Sequence, residues 1–146
     1  FACGVALGLK ILKKNRNKVI SLLGDGECQE GTIWESANIA ANRKLNNLNA
    51  IVDWNGSARQ LMPIENLEKR WRSFGWDTYI INGHSVKSFQ FMKKKIIQKN
   101  NNKPKVFIAK TIKGKGVKFL EGHGSWHHKM PNEIEFANIK KELYEK

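Results

Sequence analysis

Four short strand-like segments recur along the chain with helix-like segments between them, and this alternation constrains the fold more than any other feature. Residues 19–23 form a mostly apolar run that ends in glycine, which is typical of a buried parallel strand. Strands that alternate with helices of about ten residues or more indicate right-handed crossovers. We therefore predict an α/β fold with a parallel sheet flanked by helices on both faces. The predicted strands are residues 19–23, 49–53, 76–81 and 106–111.

The predicted helices show apolar or small residues at helical spacing. Residues 2–12 are rich in small side chains, and residues 31–44 place Ile33, Ala37 and Ala40 on one face. Ser85 is a candidate N-cap for the helix that follows it. The remaining helices are a segment with Ile64, Leu67, Trp71 and Phe74 on one face, a segment with Val86, Phe89, Ile96 and Ile97, and residues 133–145.

Length and composition indicate one globular unit. The chain has 146 residues and is 40% hydrophobic, which is enough for one buried core. Its apolar runs are far shorter than the roughly 20 residues that span a bilayer, so we expect no membrane span. Cys3 and Cys28 form no CxxC pair, which favours a reducing cytoplasm. The chain begins at Phe1 and not at Met, so we expect a truncated N-terminus, and no signal-peptide pattern precedes the first predicted helix.

A formal charge of +13 raises the possibility of nucleic-acid binding. The basic residues fall in three separated places, at residues 13–18, 93–99 and 110–118, and asparagine is abundant too. This pattern favours a compositional bias and a solvated basic exterior over a nucleic-acid surface. We do not expect nucleic acid to be the main partner.

Ligands of parallel α/β folds bind beyond the carboxyl ends of the strands, which directs attention to the segments after each predicted strand. Asp25 follows the first strand and Asn55 follows the second. Magnesium prefers oxygen ligands and takes one or two from protein side chains, with phosphate oxygens and water completing the shell. Gly24 and Gly26 would let backbone N–H groups approach phosphates near a helix N-terminus. The pattern suits a magnesium diphosphate site.

The spacing of these residues is more specific than Gly-Asp-Gly alone, which also occurs in ordinary strand-to-helix turns. Asp25 and Asn55 are 30 residues apart, the length of one strand-helix-strand crossover. Between them lie Gln29-Glu30-Gly31, Trp34-Glu35 and Leu45-Asn46-Asn47-Leu48. The stretch 24–55 resembles the thiamine diphosphate fingerprint, and its internal residues resemble the transketolase branch. The implied fold is the diphosphate domain of a thiamine-diphosphate-binding enzyme, present in part in residues 1–146.

The resemblance implies roles for the matching residues. Asp25 and Asn55 would bind the metal, Mg²⁺ or Ca²⁺, through their side chains, and Ser57 through its backbone carbonyl. The Gly24 amide would contact the diphosphate. Glu30 matches a family glutamate at the dimer interface that supports the partner glutamate on the cofactor's aminopyrimidine. The alternative for Glu30 is an acid favoured by the helix dipole.

A second match lies near the C-terminus. Residues 110–117 read KTIKGKGV, and Trp126-His127-His128-Lys129-Met130-Pro131 follow. This resembles the Lys/Gly loop and Trp-His-Gly-Lys motif of transketolases, with His128 in place of glycine. Lys113 would face the diphosphate, and His127 would reach both the diphosphate and the substrate. Because glycine tolerates positive φ where histidine pays a strain cost, this departure is expected to alter the local turn.

Other interpretations of these residues are weaker. Residues 113–118 alone would indicate a solvated basic loop. A zinc site at His123, His127 and His128 lacks a thiolate and a second ligand cluster. His84 matches a recurring family Gly-His pair, and we interpret it as structural. Nothing in the sequence indicates that the Cys28 thiol is activated.

The resemblance implies transfer of a two-carbon ketol unit from a ketose to an aldose acceptor, using thiamine diphosphate and a divalent metal. His127 would hydrogen-bond the donor or its developing oxyanion. Alternatives are deoxyxylulose-phosphate synthase, the alpha subunit of a 2-oxo acid dehydrogenase, and a non-catalytic basic binding module. The family's pyrimidine-binding domain has no match in these residues, and the predicted helix at residues 133–145 resembles the end of the free-standing N-terminal subunit of split transketolases. We therefore expect a split transketolase whose partner is a C-terminal subunit, in a homo- or hetero-oligomer with sugar or sugar phosphate substrates.

Overall fold

A four-stranded parallel sheet forms the centre of the protein. The computed structural model describes residues 1–14, 16–60, 62–98, 102–122 and 125–144. The strands are β1 (Val19–Gly24), β2 (Leu48–Trp54), β3 (Asp77–Asn82) and β4 (Lys105–Lys110), and their order in the sheet is β1-β2-β4-β3. All neighbouring strands pair in parallel. The predicted fold class is confirmed, and each predicted strand lies within one residue of an observed one.

Five α-helices precede, connect or follow the strands in the described part of the chain. They are α1 (Ala2–Ile11), α2 (Gly31–Asn42), α3 (Leu67–Ser73), α4 (Val86–Ile97) and α5 (Glu133–Tyr144). The predicted helix around Ile64 begins later than expected, because Asn66 has a left-handed backbone with φ of 53° and interrupts the helix before Leu67. Ser85 caps α4 as predicted, since its side chain accepts a hydrogen bond from the Ser88 amide. The predicted end of α5 at Glu145 lies outside the described residues.

One face of the sheet carries the larger core. Ala37 and Ala40 of α2 are buried there, and their small side chains let the helix approach the sheet closely. Trp71 of α3 packs edge-on against Trp76 with 4.8 Å between ring centroids. The Trp76 indole N–H donates to the Ala37 carbonyl at 2.9 Å, which satisfies a buried donor and joins α2 to the start of β3.

The opposite face is covered by α4 over β3 and β4 but is open over β1. Ile96 of α4 packs with Phe107 and Ile81 in a second core cluster. On the same face, Ile20 and Leu22 of β1 are 55% and 70% exposed. The prediction that helices cover both faces is therefore correct for β3 and β4, whereas β1 is buried on one face only.

Among the described residues, no helix combines the length and the apolar character needed to cross a bilayer.

Candidate functional site

The candidate site lies at the carboxyl ends of β1 and β2, where the sequence places it. Gly24 pairs with Asp53 in the parallel register, so Asp25 and Asn55 each follow the end of one of two adjacent strands. Asp25 is only 7% exposed. Since buried carboxylates require hydrogen bonds or cations to offset their desolvation, the position of Asp25 is consistent with a cation ligand.

Asp25 and Asn55 both contact the start of a 3₁₀ turn that spans Ser57–Gln60. The Asn55 Oδ1 accepts a hydrogen bond from the Ser57 amide at 2.8 Å. The Asp25 Oδ2 accepts from the Ala58 amide at 3.4 Å. The structure therefore brings together the three predicted metal-binding residues, Asp25, Asn55 and Ser57.

Asp53 links Asn55 to the segment after β4. The Asn55 Nδ2 donates to Asp53 Oδ2 at 3.2 Å. The other carboxylate oxygen of Asp53 accepts a short hydrogen bond from the Thr111 hydroxyl. Sequence reasoning assigned no role to Asp53 or Thr111. The signal that could have found Asp53 was the alternation of side chains along β2, which places Asp53 and Asn55 on the same side of the chain.

Gly24 was predicted to present its amide to a diphosphate, but in this structure another group uses that amide. The Gly24 N–H donates to Glu27 Oε2 at 2.6 Å. Gly26 precedes the 3₁₀ turn Glu27–Gln29. A Cβ added at Gly24 or Gly26 would lie 3.6 Å or more from the neighbouring atoms, so the packing does not require glycine at either position. Bare backbone at this place leaves room for a ligand to approach.

The Lys/Gly segment after β4 borders a cavity of about 710 Å³ whose lining includes Asp53, Asn55, Lys113 and Gly114. Gly114 has φ of +72°, and a Cβ there would lie 2.3 Å from the Leu120 carbonyl oxygen. Glycine is therefore required by the turn that presents Lys113. This geometry places the predicted diphosphate-facing lysine and the predicted metal ligand Asn55 on the wall of one cavity.

His127 lies in the 3₁₀ turn Ser125–His127, and its Nδ1 is in hydrogen-bonding contact with Lys113 Nζ. A lysine ammonium only donates hydrogen bonds, so the Nδ1 of His127 accepts this one. The neutral ring then carries its proton on Nε2. His127 is thereby a hydrogen-bond donor through Nε2, in contact with a lysine that lines the cavity.

The backbone at His128 is not left-handed, so histidine pays no strain cost at this position. Positive φ values of non-glycine residues occur at Lys13, Lys44 and Asn66, and His128 is not among them. The ring of His128 instead packs edge-on against His127 with 4.4 Å between centroids. The turn therefore accommodates histidine where the related motif has glycine.

Glu30 is exposed at the N-cap position of α2, and its side chain makes no capping hydrogen bond. Its predicted place at a subunit interface stays a prediction.

His84 accepts a hydrogen bond at Nε2 from the Ile112 amide at 2.8 Å, which fits the structural role assigned to it. This hydrogen bond fixes the backbone at Ile112, one residue before Lys113.

A zinc site involving His123 falls outside the described residues, because His123 itself is not described. Within the part of the chain that the structure describes, no three His, Cys, Asp or Glu residues group as a metal site would require.

Burial and the neighbouring carboxylates of Asp25 and Glu27 raise the pKa of Cys28 to about 12. At neutral pH the Cys28 thiol is therefore protonated and not activated.

Comparison with known proteins identifies the family. The family described as transketolase, thiamine diphosphate binding domain, matches residues 10–145. The chain belongs to the transketolase family. It is 36% identical to one subunit of the apulose-4-phosphate transketolase of Phocaeicola vulgatus, covering 98% of this chain and 52% of that protein. Human transketolase is also 36% identical, with 98% of this chain and 23% of that protein covered.

A solved transketolase structure agrees with the fold. Transketolase from Campylobacter jejuni superimposes with a TM-score of 0.73 and 31% sequence identity, covering 83% of this chain and 20% of that one. The chain spans about half the length of the Phocaeicola vulgatus relative and less than a quarter of human transketolase. The match thus covers only part of the length of these transketolases.

The residues present fit the thiamine diphosphate named in the family description and the divalent metal predicted from the sequence motif. The donor set of Asp25 and Asn55 is a carboxylate and an amide oxygen, which are hard ligands suited to Mg²⁺ or Ca²⁺. These side chains alone are too few for a closed protein cage, as expected where diphosphate oxygens complete the shell. Lys113 adds positive charge on the cavity wall.

Proposed function

We propose that this chain supplies the diphosphate-and-metal half of a thiamine-diphosphate-dependent transketolase. The enzyme transfers a two-carbon ketol unit from a ketose to an aldose acceptor. The observation that carries the proposal is the convergence of Asp25 and Asn55 on the turn at Ser57, beside a cavity that Lys113 also lines. Membership in the transketolase family supports it.

In this proposal the residues at the ends of β1 and β2 bind the cofactor and do not react. Asp25, Asn55 and the Ser57 carbonyl hold the divalent metal, and Lys113 offsets the charge of the diphosphate. When bound, thiamine diphosphate supplies the nucleophile and the electron sink for cleavage of the donor's carbon–carbon bond. The chain contributes position and electrostatics around it.

His127 is the proposed catalytic residue of this chain. Because Nδ1 accepts from Lys113, the neutral ring carries its proton on Nε2. That N–H is suited to donate to the donor sugar's oxygen as negative charge develops on it. Lys113 thereby serves both the diphosphate and the orientation of His127.

The proposed site lies between this chain and a partner that carries a pyrimidine-binding domain. The acids near the site in this chain, Glu27, Glu30 and Glu35, belong to the loop and helix beside the diphosphate end. The glutamate that contacts the cofactor's pyrimidine would come from the partner, and Glu30 would support it across the interface. The Phocaeicola vulgatus relative is named as one subunit of its transketolase, which supports a split enzyme.

The proposed enzyme acts on sugars or sugar phosphates and assembles as a homo- or hetero-oligomer. Its proposed location is the cytoplasm. The free cysteines Cys3 and Cys28 support a reducing compartment of this kind.

Ketol transfer by the complete gene product should be measured with and without the protein encoded beside it. The proposal predicts activity only when both are present, because the pyrimidine-binding half of the cofactor site is proposed to come from the partner. Robust activity of this chain's product alone would refute the split arrangement. Decarboxylation of 2-oxo acids in place of ketol transfer would favour the other thiamine enzymes.

A further inference from the structure

We propose that Asp53 is a positioning residue of the metal site and that Thr111 fixes it in place. Together the two residues set the orientation of the Asn55 amide. This orientation determines whether the amide oxygen or the amide nitrogen faces the metal. This inference rests on the proposed function. It concerns residues to which neither the sequence motifs nor the family match assigns a role.

The orientation of an asparagine amide depends on its hydrogen bonds, because its oxygen and nitrogen ends are nearly equal in shape. Asn55 has a defined partner at each end. Its nitrogen donates to the Asp53 carboxylate at 3.2 Å, and its oxygen accepts from the Ser57 amide at 2.8 Å. Reversal of the amide would set its oxygen against a carboxylate and its NH₂ against an N–H group. Asp53 therefore disfavours the orientation that cannot bind a cation.

Asp53 can serve this role only if its own carboxylate is held. One oxygen faces Asn55 and the other accepts the Thr111 hydroxyl, so the carboxylate is held from both sides. Gly83 packs closely against Thr111, since a Cβ added at Gly83 would lie 2.3 Å from the Thr111 Cγ2. The Thr111 amide also donates to the Trp54 carbonyl at 3.3 Å, which ties it to the end of β2.

This chain of contacts connects the metal ligand to the Lys/Gly loop. Thr111 lies two residues before Lys113, and the intervening Ile112 donates its amide to His84 at 2.8 Å. A substitution that breaks the Thr111–Asp53 hydrogen bond should therefore shift both Asn55 and the first residues of the loop. We expect metal binding and diphosphate binding to be coupled through Asp53 and Thr111.

Thr111→Val is the most direct test, because it removes the hydroxyl at nearly constant volume and charge. Thr111→Ser keeps the hydroxyl and serves as the conservative rescue. Thr78→Val is the matched control, since the Thr78 hydroxyl donates to the Trp76 carbonyl at 3.3 Å, away from the cavity lining. Each variant of the complete gene product, with its partner where one is needed, is titrated with Mg²⁺ at fixed thiamine diphosphate by calorimetry. Thermal unfolding of each variant is followed in parallel.

We expect Thr111→Val to raise the Mg²⁺ concentration for half-maximal cofactor binding about three- to tenfold, the scale of one lost orienting hydrogen bond. Thr111→Ser and Thr78→Val should stay near wild type. A second comparison uses Asp53→Asn with and without Thr111→Val. In the Asp53→Asn background, Thr111→Val should add little, because the two residues act through the same contact.

Equal Mg²⁺ dependence in Thr111→Val and wild type would overturn the inference, as would fully additive effects of Thr111→Val and Asp53→Asn. A loss of thermal stability in Thr111→Val with an unchanged Mg²⁺ requirement would show a purely structural role, which also contradicts it. If the wild-type protein itself shows no metal-dependent binding of thiamine diphosphate, the proposed function fails and the positioning role fails with it.

Discussion

The backbone amide of Gly24 donates a hydrogen bond to the Glu27 carboxylate at 2.6 Å. The Glu27 carboxylate thus accepts from the same N–H group that, by the family resemblance, would donate to a diphosphate. A negative group at this place also opposes a negatively charged ligand. Binding of the cofactor through Gly24 therefore requires the Glu27 side chain to move away.

Glu27→Gln should bind thiamine diphosphate more tightly than wild type, by about threefold or more, because it removes a like charge at nearly constant size. The measurement is calorimetric titration of the cofactor at saturating Mg²⁺. Glu68→Gln is the matched control, since Glu68 pairs with Arg72 on α3. Weaker binding by Glu27→Gln would mean that the carboxylate helps to build the site.

The turn that presents Lys113 should depend on Gly114. Gly114→Ala places a Cβ against the Leu120 carbonyl at a backbone φ of +72°, so the loop has to rearrange. We expect cofactor affinity to fall about tenfold or more, the effect of displacing a charge-assisted contact. Gly8→Ala is the control, because it lies within α1 with nothing within 4 Å of the added Cβ. It should leave cofactor affinity unchanged.

His127 should affect turnover more than binding. In His127→Ala we expect kcat to fall about 100-fold or more with little change in cofactor affinity, because the hydrogen bond strengthens mainly in the transition state. His128→Gly should be nearly neutral, since His128 is exposed and has no left-handed backbone. Steady-state kinetics of the complete enzyme decide the point. If His128 proved essential and His127 dispensable, the catalytic role would belong to His128 and the prediction would be wrong.

Cys28 should resist alkylation in the folded protein. Burial, Asp25 and Glu27 raise its pKa from the ordinary value of 9.0 to about 12, so the reactive thiolate is scarce at pH 8. Below about pH 9 the thiol is protonated in the folded and the unfolded state alike. Between about pH 9 and 12 only the unfolded state ionises, so the stability of the folded protein falls as pH rises.

Iodoacetamide labelling followed by mass spectrometry tests this prediction. Cys3 is partly exposed and should react faster than Cys28, whose labelling should become rapid only in denaturant. Equal native labelling of both cysteines at pH 8 would contradict it.

The strands and the edge that carries the site were predictable from the sequence, because apolar runs and the residues after them depend on local pattern. The apolar run at the start of β1 and the polar Asp25 after it are examples. The late start of α3 was not predictable, since it depends on the left-handed backbone of Asn66. The sheet order β1-β2-β4-β3 and the open face at Leu22 depend on packing between distant segments.

Within the site, the sequence indicated which residues to expect but not how they contact one another. Asp25 and Asn55 belong to a motif and could be named. The Thr111 hydroxyl reaches Asp53 across 58 positions of sequence, a contact that arises only when β2 and β4 lie side by side. Glu27 was visible beside the motif, but its bond to Gly24 depends on the 3₁₀ turn that follows.

Asp25 and Asn55 are central to the proposed function, as the ligands of the metal that anchors thiamine diphosphate. The most direct measurement is calorimetric titration of thiamine diphosphate into the complete protein, with Mg²⁺ present and with Mg²⁺ removed by chelation. The variants are Asp25→Ala and Asn55→Ala, with Asn42→Ala as the control, since Asn42 bonds to Asn38 on the exposed surface of α2. We predict that each site variant weakens metal-dependent binding about tenfold or more while the control behaves as wild type. Unchanged affinity in either Asp25→Ala or Asn55→Ala would contradict the account.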